Sequence, residues 1–308
     1  MKSAFTHSVL LATFTLLFFA ASIPATASAE ASNVTTASYD AMILGVKMHY
    51  TMAGHGPTVI LLHGYAETSR MWTPILPVLA QRFTVIAPDL PGIGDSAIPP
   101  DGLDMKSAAI RVHELTRSLG ISKARVVGHD IGLMVAYAYA AQFPAETDKL
   151  VVMDAFLPGV AGWEGVYNNP GLWHFRFHGP TPEALVQGRE RMYFDYYWND
   201  FAADRTRSIP EADRVAYAAA YARPGRMRAG WGYFDSFPQA ARDFAQLSQT
   251  RLTMPVLSIG GEKSLGMVLG EQMKLVGSDV TVIVLKNTGH WLMEENSRET
   301  TDALLKFL

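Results

Sequence analysis

The 308-residue chain has no cysteine. That absence excludes thiol catalysis, thiolate metal centres and disulfides. Charge of one sign is also missing. With 26 Lys+Arg against 29 Asp+Glu, the formal net charge is −3, which gives no basic footprint for nucleic acid. No apolar run is long enough to span a bilayer: Val9–Ala21 is about 13 residues, and a helical span needs about 20. With Lys2 before it and Ala27-Ser28-Ala29 after it, that run reads instead as a signal peptide cut before Glu30. We therefore expect an exported protein, periplasmic or secreted. No internal repeat or low-complexity tract follows the leader. No G-x-S-x-G serine elbow occupies a strand–helix junction, which argues against a serine esterase.

What is present is an alternation. "TVILLHG" (58–64), "FTVIAPDLPG" (83–92), "ARVVGHD" (124–130), "KLVVMDAF" (149–156), "MPVLSIGG" (254–261) and "VTVIVLKNTG" (280–289) are near-continuous apolar runs separated by helical stretches. Such runs predict strands buried on both faces of a mostly parallel sheet, with helices on both sides. Ligands bind beyond the carboxyl ends of such strands, and His63, Asp89, Asp130, Asp154 and His290 all sit there. Between 157 and 245 the strand signals stop and helical stretches rich in Trp and Tyr take over, among them Trp163, Trp173, Trp198 and Trp231. That span is too long for a bare connection. The expected organisation is a leader at 1–29, an α/β core at 30–156, an inserted helical cap at 157–245, and the rest of the core at 246–308.

Gly128-His129-Asp130-Ile131-Gly132 has the spacing of the nucleophile elbow, strand before and helix after, with Asp130 where serine would stand. His290, past the last strand, follows in the order expected of a base. Two acids compete. Asp154 ends the strand after the elbow helix, and Glu262 follows the next strand. The commoner acid position falls near Ser264, which cannot serve, so Asp154 is preferred. A carboxylate nucleophile suits displacement at saturated carbon, because it forms an alkyl ester that water can cleave at the carbonyl, whereas serine would form an inert ether. His290 would activate that water and Asp154 would orient the imidazole. The oxyanion donors expected from the motif are the backbone N–H groups of Tyr65 and Ile131. Substrates with a leaving group on sp³ carbon, epoxides or alkyl halides, are implied.

Together "HGYAETSRMW", "DLPGIGDS", "GHDIG", "VVMDAF", "WHF" and "GHWLMEE" resemble the epoxide hydrolases of the α/β-hydrolase superfamily, exported bacterial members included. The resemblance spans the mature chain and implies an α/β-hydrolase fold with a cap. Related dehalogenases share the Asp-His-acid set. Haloalkane dehalogenases usually follow the nucleophile with Trp, and fluoroacetate dehalogenases with Arg and a second Arg three residues on. This chain has Ile131 and Met134, which neither donate nor pair with a carboxylate. The family activates the ring oxygen with a cap His or Tyr pair. His174 matches the first position. The second falls on Phe234, which cannot donate, with Tyr233 beside it as a substitute only if the helix is rotated. Ala66 stands where many members have proline.

The expected function is opening of small to medium apolar epoxides to vicinal diols through an ester on Asp130. A haloalkane-type hydrolytic dehalogenase stays open, as does a catalytically weak α/β-hydrolase acting as a ligand-binding or host-directed factor. No cofactor and no metal are expected. As partners we expect a small apolar epoxide, no nucleic acid and no membrane after leader removal, with a homodimer among the assemblies open to it.

Overall fold

The computed structural model describes residues 35–308; the leader assigned to 1–29 lies outside them. Eight strands form one sheet: β1 (Thr36–Ile43), β2 (Val46–Ala53), β3 (Thr58–Leu62), β4 (Thr84–Pro88), β5 (Ala124–His129), β6 (Thr147–Met153), β7 (Val256–Gly261) and β8 (Val280–Leu285). Their spatial order is β1-β2-β4-β3-β5-β6-β7-β8. β1 and β2 pair antiparallel, as do β2 and β4, and every later pairing is parallel. This is the α/β-hydrolase architecture that the sequence implied, a mostly parallel sheet flanked by helices.

The six apolar runs became β3 to β8. In the middle of the sheet they are buried throughout: Val59–Leu62, Val126, Val127 and Leu150–Met153 expose essentially nothing, as strands covered on both faces must. The elbow helix Ile131–Gln142 is buried from Ile131 to Ala140 and packs on β3, β5 and β6. A helix apolar on all sides is stable only in such a place. β1 and β2 carried no such signal. β1 is a mostly exposed edge strand in which Ala37, Tyr39, Ala41 and Ile43 alternate with Thr36, Ser38, Asp40 and Met42.

The inserted segment is helical. Its helices Pro180–Val186 and Glu190–Asp200 are separated at Gly188, which takes φ +75°. The helix Glu211–Tyr221 forms as expected. The helix Phe237–Leu247, placed in the cap up to 245, packs on the core helices Met105–Ser118 and Ile131–Gln142 and also on the cap helix Arg226–Asp235. Among the described residues no helix is long and apolar enough to cross a membrane.

Candidate active site

The elbow fixes Asp130. A Cβ on Gly128 would run into the Gly132 carbonyl, and one on Gly132 into the Leu62 and His63 carbonyls, so both positions need glycine for close approach. The turn forces Asp130 to φ 53°, a left-handed value held by the surrounding structure. Its side chain reaches over the end of the sheet. Oδ1 accepts the Tyr65 N–H at 2.8 Å. Ile131, the other expected donor, opens the helix at the first position, where its N–H has no partner within the helix.

His290 approaches from the opposite side. Its Nε2 stands 3.8 Å from Asp130 Oδ2, too far for a hydrogen bond and close enough to serve a water beside that carboxylate. Its Nδ1 donates to Asp154 Oδ2 at 2.8 Å. Asp154 is buried and also accepts from Gly261 N–H at 2.9 Å and Ser264 Oγ–H at 2.6 Å. Glu262, the competing acid, accepts from Asn287 N–H and pairs with Lys263 on an exposed loop, and that loop contact holds its carboxyl below the usual range.

The backbone of His290 is held on three sides. Its N–H donates to Phe201 O at 2.9 Å, and its carbonyl accepts from His129 Nε2 at 2.9 Å. Glu295, buried, accepts from Gly289, Trp291 and Ala203 N–H groups, tying the histidine loop to the cap. His129 lies 3.3 Å from Glu67, both fully enclosed, a charge contact without good hydrogen-bond alignment. Burial opposes charge on His129, but Glu67 and then Asp130 outweigh it and raise it to about 9. Glu294, half-buried, is held well above the carboxylate range by desolvation and by Glu67.

His63 and Asp89 do not join the site. His63 Nε2 accepts Leu90 N–H, so its proton is on Nδ1 and faces Gly64 O. Asp89 caps Ser69 and Asp95 N–H groups. Ala66 has φ 63°, a value closed to proline, and its carbonyl accepts the Trp198 indole N–H. That accounts for the missing proline.

The cap closes a cavity of about 200 Å³ over these groups. Asp130, Asp154 and His290 line its floor, and Trp163, His174, Phe175, Phe201, Phe234 and Phe237 much of its roof. His174 is buried against aromatic rings, with Nδ1 lacking a partner. Burial lowers it to about 4, so it is neutral, with one ring nitrogen to donate a hydrogen bond and the other to accept. Tyr233 faces elsewhere: its hydroxyl donates to Pro91 O at 2.9 Å, inside the core. The helix is not rotated, and the expectation of Tyr233 as a ring-oxygen donor is corrected accordingly. Phe234 takes the cavity wall.

His174 and His178 stand four residues apart, a spacing that can serve metals, but His178 pairs with Asp235 while His174 sits in the roof. The one three-residue group among the described residues with ligating atoms close together, His49, Asp89 and Asp95, has carboxylates engaged by backbone N–H groups and Arg223.

Ser264, His129, Glu67 and Glu295 were missed as functional positions. All four lie in or near the quoted motifs, His129 directly before Asp130 and Glu295 five residues after His290, but residue type alone does not show the contacts they make. Residues 57–297 match the family model for the alpha/beta hydrolase fold. A soluble epoxide hydrolase from Corynebacterium sp. (strain C12) is 32% identical, covering 87% of this chain and 96% of that relative. The solved epoxide hydrolase CorEH superposes with TM-score 0.82 at 31% identity, covering 89% and 98% of the two chains. The Cif epoxide hydrolase from Acinetobacter nosocomialis gives TM-score 0.75 at 25% identity, covering 89% of each.

Proposed function

The chain belongs to the α/β-hydrolase family and is an epoxide hydrolase, and from that premise we propose that Asp130 is its nucleophile, Asp154–His290 its water-activating pair, and small to medium apolar epoxides its substrates. The observation that carries this reading is the geometry of one carboxylate: Asp130 Oδ1 lies on the Tyr65 N–H at 2.8 Å, while Oδ2 faces His290 Nε2 at 3.8 Å. One oxygen is pinned and the other remains free to attack.

In the first step Asp130 Oδ2 bonds to an epoxide carbon and the C–O bond of the ring breaks. The developing alkoxide is met by the N–H of neutral His174, and the proton that completes the hydroxyl comes from water. In the second step His290 Nε2 takes a proton from water, and the hydroxide adds to Asp130 Cγ. The oxyanion rests on Tyr65 N–H, with Ile131 N–H as second donor. Collapse expels the diol oxygen, which takes the proton from His290. The restored acid ionises and returns the proton gained by the ring oxygen, so one turn consumes one water.

The apolar roof supports an apolar substrate, and 200 Å³ supports a small one. The halide-binding positions of the dehalogenases carry Ile131 and Phe175, which offer no side-chain donor. Single turnover of excess enzyme in ¹⁸O-water tests the mechanism. The label is expected in the Asp130 peptide, with unlabelled diol released first. Label appearing directly in the diol, with none in Asp130, would rule out the ester.

A further inference from the structure

We propose that Ser264 is a positioning residue for the Asp154–His290 pair, its hydroxyl setting how much negative charge faces the imidazole. This rests on the reading above, in which His290 activates water. Ser264 Oγ donates to Asp154 Oδ2 at 2.6 Å, the same oxygen that accepts His290 Nδ1–H at 2.8 Å. The other oxygen is held separately by Gly261 N–H at 2.9 Å. Ser264 is itself fixed, in a tight turn after β7 closed by Ser264 and Gly266 N–H groups on Gly261 O. It lies on the cavity wall, at the place where the commoner layout puts the acid. Here the acid comes from the end of β6 instead, and a hydroxyl from the β7 loop meets it.

A hydrogen bond to an ionised oxygen draws charge from it. Shared with His290, the Ser264 bond weakens the hold of Asp154 on the protonated imidazole and keeps the base free for water. The other groups facing His290 are the Asp130 carboxylate at 3.8 Å, His129 at its carbonyl, and, on the cavity wall, His174, Asp200 and Lys263. Loss of one hydroxyl changes none of their charges. Because Gly261 N–H still anchors Oδ1, the carboxylate keeps its orientation when the hydroxyl is removed. Charge then concentrates on Oδ2, the imidazole holds its proton to higher pH, and the rate of ester hydrolysis falls off sooner on the acid side.

The test is the pH dependence of alkyl-enzyme hydrolysis in Ser264→Ala, followed in single turnover with a terminal epoxide such as styrene oxide. The acid limb is expected to move up by about half a unit to one unit. Ser264→Thr, which keeps the hydroxyl, is expected to restore it. A folded Ser264→Ala whose acid limb is unmoved, or moves down, overturns the proposal, since a residue that only packs would leave it in place. Asp154→Asn, run alongside, separates the two failures. If Asp154→Asn stops ester hydrolysis while Ser264→Ala leaves the limb unmoved, only the Ser264 assignment falls. If Asp154→Asn hydrolyses the ester normally, the Asp154–His290 pair itself is wrong.

Discussion

The floor and the roof of the cavity are built on different principles. On the floor every reacting group is held by polar bonds: Asp130 by Tyr65 N–H, Asp154 by Gly261 N–H and Ser264, and His290 by Asp154, Phe201 and His129. The roof is aromatic, and His174 stands in it with a buried nitrogen unpaired. The floor is therefore preorganised for attack and hydrolysis, which involve charge on Asp130 and His290. In the proposed mechanism, activation of the ring oxygen hangs on one neutral donor. Where the resembled enzymes use a pair, Phe234 leaves His174 alone.

That contrast is broken most severely at His174. His174→Phe keeps an aromatic shape and removes the hydrogen bond, and the rate of enzyme alkylation is expected to fall about 10²–10³-fold, with hydrolysis of a preformed ester little changed. Burst kinetics separate the two steps. Equal loss in both would mean that the roof also serves hydrolysis.

Beneath the floor, the His129–Glu67 contact makes stability depend on alkaline pH. The folded value of His129, about 9, lies above its ordinary 6.5. Its contribution is complete below pH 6.5 and lost as pH rises through about 9, worth about 3 kcal/mol in all. Thermal melts between pH 7 and 10 are expected to show this fall in the wild type and not in His129→Gln.

Restoring the pair sharpens the comparison from the other side. Phe234→Tyr places a phenol on the cavity wall and is expected to speed alkylation about tenfold. An unchanged alkylation rate would show that one donor already suffices. The smallest effect belongs to Tyr233. Tyr233→Phe leaves Pro91 O without its donor and is expected to cost about 1–2 kcal/mol of stability, by denaturant unfolding, without changing turnover.

The difference between floor and roof is also a difference in what a sequence can show. Floor residues announce themselves because they sit at strand ends beside glycines: Gly128 and Gly132 are forced by backbone contact, and β3 to β8 are mostly apolar. β1 and β2 stayed hidden because an exposed antiparallel edge alternates and leaves no apolar run. Where the cap meets the core is not legible in the helix Phe237–Leu247, which is amphipathic like its neighbours and touches both core and cap helices. Glu295 and His129 lie inside the quoted motifs, but they hold His290 and its neighbours through backbone groups, which residue type alone does not show. Whether Tyr233 or Phe234 faced the cavity turned on the rotation of one helix, which periodicity alone could not fix.

Intact-protein mass spectrometry of His290→Gln exposed to a panel of epoxides and haloalkanes tests the central claim most directly. With the base removed, the ester should persist, and a gain equal to one whole epoxide, mapped to the peptide carrying Asp130, is the predicted result. A gain equal to an alkyl group without its halide, and none from epoxides, would make the chain a dehalogenase. No adduct from any of them, or an adduct on another residue, would contradict Asp130 as the nucleophile.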